Sequence, residues 1–145
     1  MMILIRNART SDLDTVCSLE NEWMQSPWSR TGFENELSNS FSRFVVAETE
    51  EGIAGYAVAW EVCDEIQLNR IVVRGDRRRR GLGRALLDYI ILELSPPGDR
   101  RVLLEVRARN EAARSFYRTA GFVETGLRKQ YYEDDDAVLM ERTIR

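Results

Sequence analysis

The chain has 145 residues, of which 43% are hydrophobic and 31% charged, with a formal net charge of −3. That length suits one domain, read as 1–145, and no run approaches the roughly 20 apolar residues of a membrane span. There is no histidine, so the commonest general base and metal ligand are missing and histidine-dependent hydrolases are excluded. The slight acidic excess argues against general nucleic-acid binding.

The opening segment, Met1 to Arg6, lacks the apolar stretch and cleavage site of a secretory signal, which makes the cytoplasm the expected location. Ile3 and Ile5 alternate as in a strand, and Thr10-Ser11-Asp12 supplies cap chemistry before Leu13, Val16, Leu19 and Trp23 at helical spacing. Cys17 and Cys63 stand far apart without a CxxC motif and read as core thiols, with no metal site. Thr31-Gly32-Phe33-Glu34 matches a capping box and predicts a short second helix running toward Leu37.

Phe44 to Glu48, Ile53 to Val62 and Ile66 to Val73 read as strands, the first two joined by a turn at Glu50-Glu51-Gly52. A basic turn, Arg74 to Arg80, then precedes a helix from about Gly81 to Leu94 with Leu82, Leu86, Tyr89, Ile90 and Leu94 on one face. Beyond the turn at Pro96-Pro97, Val102 to Val106 is apolar enough to predict a strand buried on both faces. Asn110 is a good N-cap for a helix burying Ala113, Phe116, Tyr117 and Ala120, and Gly121 is placed to end it. Phe122 to Tyr132 and Ala137 to Arg142 predict a closing hairpin around the acidic turn Glu133 to Asp136. The element order implies an α/β fold, a mixed sheet with helices on both faces.

The turn with Gly81-Leu82-Gly83 suits an anion, because glycine lets backbone approach a phosphate and the first amides of a helix point outward unpaired. The Rossmann pattern fails at Leu86, and no lysine and serine or threonine follow as the Walker loop requires.

Arg78-Arg79-Arg80-Gly81-Leu82-Gly83 resembles the (Q/R)xxGx(G/A) signature of the GNAT superfamily of N-acetyltransferases. Nearly the whole chain agrees with that order of elements. Leu104 to Asn110, with Ala113, Phe116-Tyr117 and Gly121-Phe122, and Pro27-Trp28-Ser29 with Phe33 and Glu36-Leu37, resemble the bacterial RimI-type ribosomal-protein alanine N-acetyltransferases. The resemblance implies a mostly antiparallel sheet splayed between its fourth and fifth strands, with acetyl-CoA as acetyl donor. Ile71, Val72 and Val73 would offer backbone groups to the pantetheine arm. Arg78, Arg79, Arg80, Gly81, Leu82, Gly83 and Arg84 would surround the pyrophosphate, and Asn110 would also touch the donor.

Glu105 is a carboxylate inside an apolar strand, and two readings stand side by side: an ion pair with Arg107, or a general base for the attacking amine. Tyr117 reads by spacing as a core aromatic; the resemblance implies instead the donor that protonates the departing thiolate. The acceptor implied is a protein or peptide N-terminus, the alanine of small-subunit ribosomal protein S18 by resemblance. It would enter near Trp28, Phe33 and Tyr131, and the acidic turn reads either as a solvated hairpin tip or as a feature favouring a basic N-terminus. Protein lysines or small-molecule amines are the alternative acceptors, and a non-catalytic CoA-binding module is the rival from another class.

Overall fold

In the computed structural model the described residues are 2–75, 81–94, 98–132 and 134–144. They form β1 (Leu4–Asn7), α1 (Leu13–Trp23), α2 (Arg30–Ser38), β2 (Ser42–Thr49), β3 (Gly52–Val62), β4 (Glu65–Val73), α3 (Leu82–Asp88), β5 (Arg100–Arg107), α4 (Glu111–Thr119), β6 (Val123–Tyr132) and β7 (Asp135–Ile144). A 3-10 turn, Thr10–Asp12, precedes α1, and a π segment, Tyr89–Leu94, continues α3. The strands make one seven-stranded sheet in the order β1-β2-β3-β4-β5-β7-β6. It is mixed and mostly antiparallel, as expected. The parallel register of β4 with β5 covers only Glu65, Ile66 and Gln67, opposite Arg101, Val102 and Leu103, although β4 itself runs on to Val73.

By contacts the chain divides into two compact units, Met1–Glu61 with Arg70–Ser95, and Val62–Asn69 with Pro96–Arg145. In the first, period-two alternation gives each face of the sheet its own cover. Phe44, Val46, Tyr56, Val58 and Val72 bury one face against Leu13, Val16 and Leu19 of α1 and Phe33 of α2. On the opposite face Gly55 faces α3, where a Cβ would stand 3.3 Å from Leu86 and only 2.8 Å from the Val72 carbonyl oxygen. Glycine is required there for close packing of strand and helix.

The start of α2 differs from the capping box expected at Thr31. Ser29 is the N-cap, its hydroxyl accepting the Gly32 amide at 3.1 Å. The residue before the cap, Trp28, packs on Phe33 with ring centroids 5.4 Å apart, the spacing of a hydrophobic staple. Two aromatic rings fix the entry more firmly than a second hydroxyl two residues later. The Thr10–Asp12 segment also caps in its own way. The Asp12 carboxylate reaches back to accept the Arg9 amide at 2.7 Å and takes two hydrogen bonds from Arg6, at 2.8 and 2.9 Å.

Gly81, the N-cap of α3, adopts a left-handed φ of 80°. The buried residues of the helix are Leu82, Leu86 and Leu87, followed by Ile90 and Ile91 on the π segment, while Tyr89 is half-buried. Ile90 and Ile91 follow Leu86 and Leu87 by four residues, so the buried stripe runs on from α3 into the π segment with Tyr89 at its edge.

In the second unit β5 alternates strictly: Val102, Leu104 and Val106 are buried, while Leu103, Glu105 and Arg107 are half-buried. The strand is therefore covered fully on one face only, not on both. Asn110 caps α4 as expected, accepting the Ala113 amide at 3.1 Å, and Gly121 ends it with a φ of 94°. Ala113, Phe116 and Tyr117 are half-buried, and Ala120 and Phe122 are fully buried below them.

Candidate active site

The residues expected to hold the donor, apart from Asn110, belong to the first unit. Val72 is buried between half-buried Ile71 and Val73, and the Arg74 amide continues the ladder by donating to the Ala54 carbonyl at 2.9 Å. At the start of α3 the amides of Leu82, Gly83 and Arg84 precede the first intrahelical bond, in which Ala85 donates to Gly81 at 3.0 Å. Amides at these positions have no partner within the helix itself. Exposed Gly81 has open space where a Cβ would project, with no heavy atom within 4 Å. An uncovered amide cradle of this kind fits a phosphate. Arg84 points along the helix to Asp88, 3.0 Å away. Arg77, Arg78, Arg79 and Arg80 lie outside the described residues, as do Pro96, Pro97 and Glu133.

Glu105 and Tyr117, the expected chemical pair, belong to the second unit. Glu105 is paired with Arg128, at 3.2 Å from Oε1 to Nη1, and not with Arg107. Arg107 forms an ion pair with Asp134 and lays its guanidinium over the Tyr132 ring, 4.2 Å from the centroid. The reason lies in the register. Glu105 faces Leu139 across β7, and Arg107 lies two residues further along, opposite Ala137 beside the hairpin turn. Among the described residues the second oxygen of Glu105 has no partner. The carboxylate is three-quarters covered, with 22% of its side-chain surface exposed.

Tyr117 sits between Phe116 and Phe122, with ring centroids 5.0 and 5.5 Å away. Part of the residue remains accessible, yet burial around the phenol pushes its pKa well above the ordinary tyrosine range, and no charged group contributes to that shift. The phenol therefore holds its proton at every working pH. No hydrogen bond joins Tyr117 to Glu105. The side chain of exposed Asn110 is committed to its cap.

The acidic turn is more than a solvated tip. Asp135 accepts the Arg109 amide at 2.9 Å, Asp136 accepts the Gln130 amide at 2.7 Å, and the Asp136 carbonyl accepts the Ala108 amide at 2.9 Å. Its carboxylates and backbone thus anchor the loop between Glu105 and α4.

Of the three residues expected on the acceptor side, Trp28 is half-buried and lines an open depression of about 450 Å³ with Ser29, Gly32, Asn35, Glu36 and Trp60. Tyr131 is exposed on β6, its ring 5.3 Å from the Arg128 guanidinium. Phe33 has no exposed surface and packs against Trp28, Phe44 and Tyr56. It supports Trp28 from behind instead of meeting a ligand.

The sequence reading missed a fully buried carboxylate, Glu20 on α1. It accepts hydrogen bonds from the Tyr56 hydroxyl at 2.5 Å, the Trp28 amide at 2.8 Å and Arg70 Nε at 3.2 Å. The available signal was its place seven residues after Leu13, on the apolar stripe of the helix. Among the described residues no cluster of carboxylates and cysteines could hold a metal ion, and no helix is long and apolar enough to cross a membrane.

Comparison with known proteins places this geometry. The acetyltransferase (GNAT) family matches residues 13–122. The [ribosomal protein bS18]-alanine N-acetyltransferase of Escherichia coli K12 is 35% identical over 147 residues, covering 99% of both chains. Its Salmonella typhimurium counterpart is 37% identical, covering 93% of each. The crystal structure of the Escherichia coli S18-alanine enzyme superposes with a TM-score of 0.89 at 35% identity, over 99% of this chain and 94% of that one. The chain thus belongs to the acetyltransferase (GNAT) family and is an acetyl-CoA-dependent N-acetyltransferase.

Proposed function

We propose that the chain acetylates the N-terminal α-amine of a ribosomal protein, alanine first, with Glu105 as general base and Tyr117 as proton donor. The observation that supports this most is the end-to-end match to enzymes named for that reaction, with 99% of both chains covered. The α1–α2 connection with Trp28, and Glu105 and Tyr117 on consecutive elements, are consistent with it.

The backbone of Ile71 to Val73 and the first amides of α3 hold the donor, with Arg78, Arg79 and Arg80 adding positive charge around its pyrophosphate. The acceptor amine must lose a proton as its nitrogen attacks the thioester carbonyl. Glu105, with one oxygen free, takes that proton directly or through a water. As the carbon–sulfur bond breaks, negative charge grows on sulfur, and the Tyr117 phenol offers it a hydrogen bond in a dry setting where such a bond is strong. An α-amine suits this base, because its ordinary pKa of about 7.7 to 8.0 leaves part of it neutral at pH 7, whereas lysine, at about 10.4, is nearly all charged.

The test is a competition at equal concentration between a peptide with a free N-terminal alanine and one whose sole amine is an internal lysine, with the modified position located by fragmentation mass spectrometry. The α-amine is expected to be modified far faster. Preferential lysine acetylation would overturn the assignment, and acetylation of neither peptide would transfer it to a small-molecule amine.

A further inference from the structure

We infer that Glu20 and Arg70 are positioning residues for the acceptor: together they fix the Ser26–Trp28 segment and so set acceptor affinity without touching the donor. This rests on the reading of Trp28 as an acceptor-side residue.

The Glu20 side chain has no exposed surface and Arg70 only 17%. Burying a charge pair carries a desolvation penalty that a well-packed apolar pair would avoid, so stability alone is a weak reason for such a pair. What the pair provides here is geometry. Glu20 Oε2 accepts the Trp28 amide at 2.8 Å, and Arg70 Nη2 donates to the Ser26 carbonyl at 3.1 Å. The Arg70 guanidinium also lies over the Trp28 ring, its Cζ 4.5 Å from the centroid. The segment between α1 and α2 is thereby held by its backbone at two residues and by the face of its aromatic ring. The Tyr56 hydroxyl, bonded to Glu20 Oε1 at 2.5 Å, fixes the carboxylate from the sheet side.

Arginine is required for this arrangement. A planar guanidinium can serve a carboxylate through Nε and a carbonyl through Nη2 while its face rests on an indole; an ammonium group cannot do all three. Arg70 also directly precedes Ile71 to Val73. One strand therefore carries the residues proposed for the donor arm and, one position earlier, the side chain that fixes the acceptor segment.

Arg70→Lys is the discriminating variant, because it keeps a positive charge near Glu20 but loses the Ser26 bond and the stacked plane. Its acceptor KM should rise roughly ten-fold or more, the scale on which a misplaced positioning element acts, with acetyl-CoA KM and kcat at saturating acceptor within about two-fold of wild type. Tyr56→Phe, which changes no charge, should raise acceptor KM by a smaller factor and serves if Arg70→Lys does not fold. Amide hydrogen exchange at Trp28 gives a readout independent of turnover: slow in the wild type, faster in both variants. An unchanged acceptor KM together with unchanged Trp28 exchange would overturn the inference, as would an equal loss in kcat and in both KM values. If the wild type rejects the alanine peptide, the acceptor reading fails separately. The same variants are then measured with whichever amine turns over, and Trp28 exchange is read in either case.

Discussion

Glu105 finds its counter-charge in Arg128 on β6, two strands away across β7, while Arg107 on its own strand turns to Asp134 and Tyr132. More than half of the Arg128 side chain is exposed, and ion pairs of that kind contribute only about 0 to 1 kcal/mol. Stability is therefore not what the pair supplies. Arg128→Ala should lower unfolding free energy by less than about 1 kcal/mol in denaturant titration. Glu105→Gln should keep its melting temperature and lose roughly 10²-fold in kcat, the scale of a general base. A kcat near wild type in Glu105→Gln would leave the carboxylate a structural group.

For Tyr117 burial sets the sign. The neutral phenol is favoured in the folded protein and its pKa lies above the usual ~10. The kcat profile should accordingly show no alkaline limb from a phenol between about pH 8 and 10. Tyr117→Phe should lower kcat by roughly 10²-fold and leave acetyl-CoA affinity nearly unchanged. A descending limb near pH 10 that disappears in Tyr117→Phe would show that the phenol titrates normally.

Gly81 combines a left-handed φ of 80° with open space around its missing Cβ. A Cβ there has room among the described residues, but valine in this left-handed conformation is strained, at a cost of about 1 to 3 kcal/mol, and adds bulk beside the first amides of α3. Gly81→Val should weaken acetyl-CoA binding at least ten-fold by calorimetry, the effect of losing about 1.4 kcal/mol. Unchanged affinity in the folded variant would remove this turn from the donor site.

Asp12 is held below the usual carboxylate range, first by its hydrogen bonds from Arg6, with the Arg9 amide adding to the effect against the cost of burial. A lowered carboxyl stabilises the fold above its unfolded value of about 3.9, and that stability is lost as pH falls through the folded value. Asp12→Asn should be about 1 to 3 kcal/mol less stable than wild type at pH 7, and the gap should close below about pH 4. A gap that is the same at pH 7 and pH 3 would mean that charge is not the cause.

What the sequence showed and what it hid follow from the range of each interaction. Asn110 and Gly121 were legible because a cap is settled within three or four residues of itself. Ser29 was not, because Thr31 and Glu34 form an equally good local pattern and the choice was made by the Trp28 and Phe33 rings. Glu105 stood out as a carboxylate in an apolar strand, but its partner lies beyond an intervening strand, where periodicity along one strand carries no information. The Glu20 cluster joins residues 36 and 50 positions apart and left no local trace except a charge on an apolar stripe.

The π segment that continues α3 has a further meaning when read as chain length. A π turn holds the content of an α-turn with an inserted residue, so Tyr89–Leu94 is a place where the gene can lose a codon and leave a regular helix behind. Such a deletion would rotate everything C-terminal to it by about 100°, since an α-helix turns 3.6 residues per circuit. Ile90 and Ile91 stand four positions after Leu86 and Leu87 and are buried with them, so the π segment takes in its extra residue while one apolar face runs on along the helix.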